Sequence, residues 1–293
     1  MCRYSPKIDL VFRKLFGSEE NKGILLSFVN SILEQETIIK DLTIKNPYNL
    51  AEYINGKESI LDIKAVDENG IHYDIEMQIG EQGYYGKRAL YYWSKIYSSQ
   101  IERAENYTEL SKTIGIHLLD FDYFNDERYI RRISLKDFDT NEIYKELDYE
   151  ELYFIEMSKF KKGYGELKTV LDRWITFMNK AYEFEKGKVP KELDEEKEIN
   201  EAIEKLEIMY FDEKEREIYE GERKRKMNYN EEIRTAEEKG IEKGIEKGIE
   251  RGMEKIAYKM LKKNDKIEEI VEMTGLSIEK IKEIKNEIKN RER

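Results

Sequence analysis

Two carboxylates on either side of a short turn are the part of this 293-residue chain best fitted for chemistry. Residues 58–79 read ESILDIKAVDENGIHYDIEMQI. From Ile71 to Ile79 the residue types alternate. Ile71, Tyr73, Ile75, Met77 and Ile79 share one face, and His72, Asp74, Glu76 and Gln78 the other. Upstream, Leu61, Ile63 and Ala65 alternate with Asp62, Lys64 and Val66, and Asn69-Gly70 marks a turn. The spacing predicts a hairpin whose second strand has one buried face.

The register decides which residues meet. A two-residue Asn69-Gly70 loop would pair Asp62 with Met77 and set the apolar face of one strand beside the polar face of the other. A three-residue loop, Glu68-Asn69-Gly70 with Gly70 left-handed, pairs Asp67 with Ile71 and Asp62 with Glu76, so the apolar faces coincide. Two carboxylates in directly opposed positions repel unless a cation sits between them. A hard divalent ion such as magnesium meets that need, because it uses one or two carboxylates and takes waters or phosphate oxygens for the rest.

Asp62 on one strand and Glu76-x-Gln78 on the next resemble the active site of PD-(D/E)XK nucleases. The similarity is greatest to their recombination-promoting nuclease (Rpn), transposase-like branch, in which the usual terminal Lys is commonly Gln. KIDLVFRKLFG near the start, GYYGKRALYYWSKIY and GIHLLDFD also look like that branch. The resemblance implies a restriction-endonuclease-like mixed α/β sheet flanked by helices. It also implies a DNA substrate, Mg2+ with Mn2+ able to substitute, and a role linked to recombination or mobile elements. By the same resemblance Asp62, Glu76 and the backbone carbonyl of Met77 would hold metal. Gln78 would orient water or phosphate, and Asp9 would be an acidic residue within reach of the metal. Asp9 would equally suit the first turn of a helix.

Several elements must position these groups. Ile8, Leu10, Val11, Leu15 and Phe16, then Ile24, Leu25, Phe28, Val29, Ile32 and Leu33, are spaced for two helices with a kink near Gly17 and Gly23. Residues 38–45 read as a strand closed by Asn46-Pro47. After the hairpin, a helix from about Tyr84 to Tyr107 carries Arg88, Tyr91, Tyr92, Trp93, Tyr97 and Arg103. Its aromatic residues are expected in the core, and Arg88 is a candidate phosphate contact.

TIGIHLL, 113–119, reads as a central strand buried on both faces. His117 within it is expected to be a core histidine, and His72 the better candidate for the site. Strands are expected within 128–160, then a helix around Leu167 to Phe184 and a linker at Gly187 to Pro190. That order suggests a sandwich with helices on one face and a catalytic cleft on the other.

The boundaries fall as a nuclease-like domain at 1–190, a charged helical extension at 191–236, and a terminal region at 237–293. In the last, Gly240, Gly244, Gly248 and Gly252 recur every fourth residue beside Ile241, Ile245, Ile249 and Met253. This is either an oligomerisation stripe or a charged tether. KIEEIVEMTGLSIEKIKEI reads as a helical hairpin with a possible helix-turn-helix reading, Ser277 serving as an N-cap.

A net charge of −11 argues against casual DNA binding, so phosphate contacts would have to come from local basic clusters. Arg131-Arg132, Lys159-Lys161-Lys162 and Arg223-Lys224-Arg225-Lys226 are those clusters, each also explicable as a solvated face. One cysteine, Cys2, and no long apolar run point to a reducing, cytoplasmic setting without a membrane anchor. Two readings follow. One is a Mg2+-dependent DNA endonuclease, homo-oligomeric through its C-terminal helices. The other is a non-catalytic, DNA-associated oligomer that keeps the fold as a scaffold.

Overall fold

A computed structural model describes residues 4–33, 38–46, 62–80, 83–102, 105–184 and 189–291. The chain forms two compact units, 1–226 and 227–293. The first is built on a six-stranded mixed sheet: β1 Leu42–Ile44, β2 Asp62–Asp67, β3 His72–Gln78, β4 Thr113–Leu119, β5 Ile130–Ser134 and β6 Glu150–Glu156, in the order β1-β2-β3-β4-β6-β5. β3, β4 and β6 run parallel to one another, and the outer pairs are antiparallel.

The hairpin has the three-residue loop. Asp67 N–H bonds to the Ile71 carbonyl at 3.0 Å, Gly70 adopts φ +81°, and the ladder runs from Val66 opposite His72 to Asp62 opposite Glu76. The Asp67 carboxylate holds the turn by accepting from the N–H groups of Asn69 and Ile71 and from the Tyr73 hydroxyl.

One face of the sheet carries Ile63, Ala65, Tyr73, Ile75, Met77, Ile114, Ile116 and Leu118. Against it pack α1 (Asp9–Phe16), α2 (Lys22–Ile32), α4 (Val170–Lys180) and α6 (Lys197–Ile208), around the fully buried Trp174. α6 buries Ile199, Ala202, Ile203 and Leu206 in this core, so the charged sequence after Pro190 still builds the first unit.

The opposite face is not an open cleft. α3 (Tyr85–Ser98) lies over it, with Tyr85 and Ala89 buried against Leu119, Leu152 and Phe154. β3 is therefore buried on both faces, and Asp74 and Glu76 are each 1% exposed. Strict alternation predicted one solvated face. It holds as a division of residue types but not of environments, because β3 is an interior strand and a helix covers its polar side.

Other expectations shift for local reasons. β1 is shorter than residues 38–45, because the Asn30 side chain takes both the N–H and the carbonyl of Ile39 at 2.9 Å. α3 ends at Ser98 rather than near Tyr107. The Ser98 and Ser99 hydroxyls bond back to the carbonyls of Lys95 and Ile96, and Gln100 turns the chain onto Ser111. Arg103 and residues 187–188 of the expected linker lie outside the described residues. The aromatic residues of α3 are not uniformly core: Tyr91 is 60% exposed.

α5 (Lys191–Asp194) is a single turn, and α7 (Glu213–Lys262) is a continuous 50-residue helix that contains all four repeat glycines. In the second unit α8 (Ile267–Thr274) and α9 (Ile278–Arg291) meet across Gly275, left-handed at φ +66°. Ile270, Ile281 and Ile284 pack on Ala257. The Ser277 hydroxyl accepts from Lys280 N–H, the expected N-cap. Among the described residues, no helix is long and apolar enough to cross a membrane.

Candidate active site

Glu76 stands at the centre of the face beneath α3. The parallel ladder sets it beside His117 of β4, and the antiparallel ladder sets it opposite Asp62 of β2. Ile71 uses its carbonyl toward β2, and Gln78 uses its carbonyl toward β4, where it accepts from Asp120 N–H at 2.9 Å. Backbone groups of alternate residues point to opposite sides of a strand. Glu76 therefore bonds toward β4, and Asp62 and Glu76 form a non-hydrogen-bonded pair, the closer of the two kinds at about 4.5 Å between Cα atoms. By the same alternation the Met77 carbonyl points to the β2 side. The backbone of Asp62 is described; its side chain lies outside the described set.

Tyr85, in the first turn of α3, donates its hydroxyl hydrogen toward Glu76 Oε2 at 3.0 Å and lies equally close to His117 Nδ1. His117 Nδ1 is 3.6 Å from the same carboxylate oxygen, and its ring stacks on Phe154. Arg88, one turn further along α3, brings Nη2 to 3.9 Å from Glu76 Oε1. The guanidinium proposed as a phosphate contact thus stands beside the central carboxylate, over the ring of Tyr92.

His117 is the buried core histidine the sequence suggests, yet it also touches Glu76. His72 does not replace it. It sits at the turn end of β3, half-buried, with its pKa lowered by burial and then by Lys45. Four residues along a strand place it about 13 Å from Glu76. The histidine of the site is the one on the neighbouring strand.

Asp74 is the residue the sequence reading passed over. It lies on the Glu76 face opposite Lys64 and beside Gly115, and neither carboxylate oxygen has a hydrogen-bond partner among the described residues. Burial, then repulsion from Glu76, pushes its pKa up to about 7, against the pull of Lys64 and Arg88. The alternation placed Asp74 on this face but could not show that a helix buries it.

Gln78 is nearly buried. Its Nε2 donates to the Gly80 carbonyl at 3.2 Å, while Oε1 has no hydrogen-bond partner among the described residues. Asp9 opens α1 and is buried, and α1 lies against β2. The first-turn placement therefore holds for Asp9, and the helix it opens lies against the strand of Asp62.

Among the described residues no three His, Cys, Asp or Glu side chains converge as a ready-made metal cage. The donor types are nonetheless those of a hard divalent ion: the buried carboxylates of Asp74 and Glu76, the Gln78 amide oxygen, which has no hydrogen-bond partner among the described residues, and a backbone carbonyl. Most members of two other basic clusters are counterions of nearby carboxylates. Arg131 pairs with Asp126 and approaches Glu156 at 3.5 Å, Arg132 pairs with Glu151, Lys159 with Glu156, and Lys162 with Asp172. The buried carboxylates Glu151, Glu156 and Asp172 each take a cation from these clusters.

A family model described as PD-(D/E)XK nuclease family transposase matches residues 6–236. No curated protein and no solved structure matches the chain.

Proposed function

The chain belongs to the PD-(D/E)XK nuclease transposase family, and from that membership we propose that it is a Mg2+-dependent DNA endonuclease with Asp62 and Glu76 as its metal-binding carboxylates. The observation that carries this reading is the Asp62–Glu76 register in a closely spaced pair, with a further buried carboxylate, Asp74, two residues away. A solvated strand face has no reason to oppose two acids, and a buried one has less. A cation between them turns the repulsion into binding.

When bound, the metal would polarise a phosphodiester and lower the pKa of an attacking water. Asp62, Glu76 and the Met77 carbonyl would hold it, with Mn2+ able to substitute. The residues of this chain do the rest. Tyr85 fixes one oxygen of Glu76 by a hydrogen bond, so the other faces Arg88 and the site. Arg88 stands beside Glu76 as a counter-charge and would be the group to take a phosphate oxygen with a cation on the carboxylates. Gln78 presents its amide to water or phosphate without the charge of the Lys common in related nucleases, so it orients and does not neutralise. Asp9, on the helix against β2, is a further acidic residue for the site.

The proposed setting is cytoplasmic, in the recombination or mobile-element work of the Rpn branch, and the proposed assembly is a homo-oligomer through α7. Ile241, Ile245 and Ile249 are exposed along the glycine repeat, and a Cβ added at any of the four glycines meets nothing within 4 Å. Close helix-to-helix approach uses that space. Truncation before Glu237 then leaves a monomer by light scattering that still nicks DNA; an unchanged mass state shows the repeat to be a linker.

The primary test is nicking of supercoiled plasmid by the purified protein. Conversion to open circles in Mg2+ or Mn2+, abolished by EDTA and restored by added metal, is expected. Cleavage that persists in chelator refutes the proposal in favour of a metal-free mechanism or a contaminant, and no cleavage with either ion refutes it and leaves the scaffold reading.

A further inference from the structure

The basic run Arg223-Lys224-Arg225-Lys226 has no part in the site described above, yet two of its members face a cavity of about 420 Å³ in the first unit. Its walls include Tyr4, Lys7, Tyr182, Tyr219, Arg223 and Lys226. Lys7 and Lys226 clasp the two oxygens of Asp120 from either side. Asp120 directly follows β4, and its N–H holds the Gln78 carbonyl at 2.9 Å. The cavity is thus tied through one residue to the end of β3 where the candidate active site lies.

The lining carries three cations against one carboxylate, Glu220, with Asp120 behind the lysines. In a chain of net charge −11 this is a local excess of positive charge. Arg223 pairs with Glu220 only at 3.6 Å and both are more than half exposed, so that pair is weak and the guanidinium can turn inward. Three tyrosines, Tyr4, Tyr182 and Tyr219, stand beside these charges, with Ser5, Ile8 and Asn179 completing the wall. Tyr4 stacks on Phe211 at 4.0 Å between centroids and meets Tyr219 edge-on at 4.9 Å, which makes a rigid wall, and Tyr182 is 49% exposed. Guanidinium and ammonium groups beside aromatic rings are the chemistry of nucleotide strand recognition, where phosphates take the cations and bases or sugars take the rings. The size suits one such unit.

We propose that this cavity holds one nucleotide of the DNA strand flanking the cleaved bond, its phosphate on Arg223, Lys226 and Lys7 and its sugar or base against Tyr182. The assignment rests on the nuclease reading for the word cleaved, but the binding itself does not need metal. It gives a role to Arg223 and Lys226 of the basic run in α7, and to the placement of both lysines on Asp120.

The test uses the full-length protein and a fluorescent single-stranded oligonucleotide, followed by anisotropy in EDTA from 50 to 200 mM salt. Arg223→Ala is expected to weaken binding about tenfold and to reduce the slope of log affinity against log salt by about 0.7, the value of one lost phosphate contact to a single strand. Tyr182→Ala lowers affinity at every salt concentration and leaves the slope unchanged. Lys224→Ala, the same charge change outside the cavity, is the control and is expected to lose far less. Equal losses for Arg223→Ala and Lys224→Ala, or no binding by the unmodified protein, overturn the assignment. Displacement of the oligonucleotide by millimolar inorganic phosphate would overturn it too, in favour of a free-phosphate site. Plasmid nicking is scored separately: slope changes without nicking reject the nuclease and keep the cavity, and nicking with equal losses does the reverse.

Discussion

Asp74→Asn should make the first unit more stable, and increasingly so as pH rises. In the fold its carboxyl is pushed from 3.8 up to about 7 by burial and by Glu76. Between those values the folded protein keeps a proton that the unfolded chain has released, so stability falls as pH climbs from about 4 to about 7 and stays low above that. At about 1.4 kcal/mol per pH unit the full penalty is about 4 kcal/mol, of which roughly 3 kcal/mol appears between pH 5 and pH 8. Asparagine has the same shape and no charge, so its advantage over Asp74 should widen by roughly that amount across the interval.

Urea unfolding in EDTA at the two pH values, read by tryptophan fluorescence, measures this directly. Both tryptophans, Trp93 and Trp174, lie in the first unit. A gap of roughly 3 kcal/mol in a unit of this size corresponds to about 6–12 °C in melting temperature. A variant no more stable than the parent at pH 8, or a gap that does not change with pH, would show that Asp74 is neither buried as a charge nor opposed by Glu76.

Added Mg2+ should narrow that gap, because a cation beside Glu76 favours the ionised form of Asp74; a gap indifferent to Mg2+ at saturating concentration would place the metal elsewhere. Tyr85→Phe removes the hydroxyl that Glu76 and His117 share, and should cost about 1–3 kcal/mol of stability by urea titration and weaken Mn2+ binding 10- to 100-fold by calorimetry. Full metal affinity in that variant would mean Tyr85 serves packing alone. Gln78→Lys should keep or raise the nicking rate and Gln78→Ala should lose most of it; equal rates for the alanine variant and the parent would make Gln78 part of the strand only. Replacing Gly240, Gly244, Gly248 and Gly252 together by Ala should stabilise α7 by up to about 4 kcal/mol, seen as greater helical ellipticity and a higher melting point, and no gain would point to a backbone that needs those glycines for contact.

The hairpin was legible in the sequence because two independent constraints agreed on it. Matching the apolar faces required an odd register, and only a left-handed Gly70 closes that turn. TIGIHLL was legible for a similar reason, since six apolar or small residues around one histidine make a run of strand length with few other places to go. What could not be read was what covers each face. No local pattern shows that α3 lies on Asp74 and Glu76, or that Tyr85 and His117, from segments 32 residues apart, converge on one carboxylate. The same limit explains the basic clusters, because Arg131, Arg132 and Lys159 look like surface charge until their buried partners Glu151 and Glu156 are placed. Pairing across strands decided Arg131 and Arg132, and burial of Glu156 decided its near neighbour Lys159; composition carries no trace of either.

The central claim is that Asp62 and Glu76 hold the catalytic metal, and the most direct measurement compares plasmid nicking in Mg2+ by the parent, Asp62→Ala and Glu76→Ala, each first shown to be folded by circular dichroism and to bind DNA in EDTA. The account predicts that both variants retain fold and DNA binding and lose nicking entirely; full nicking by either folded variant contradicts it.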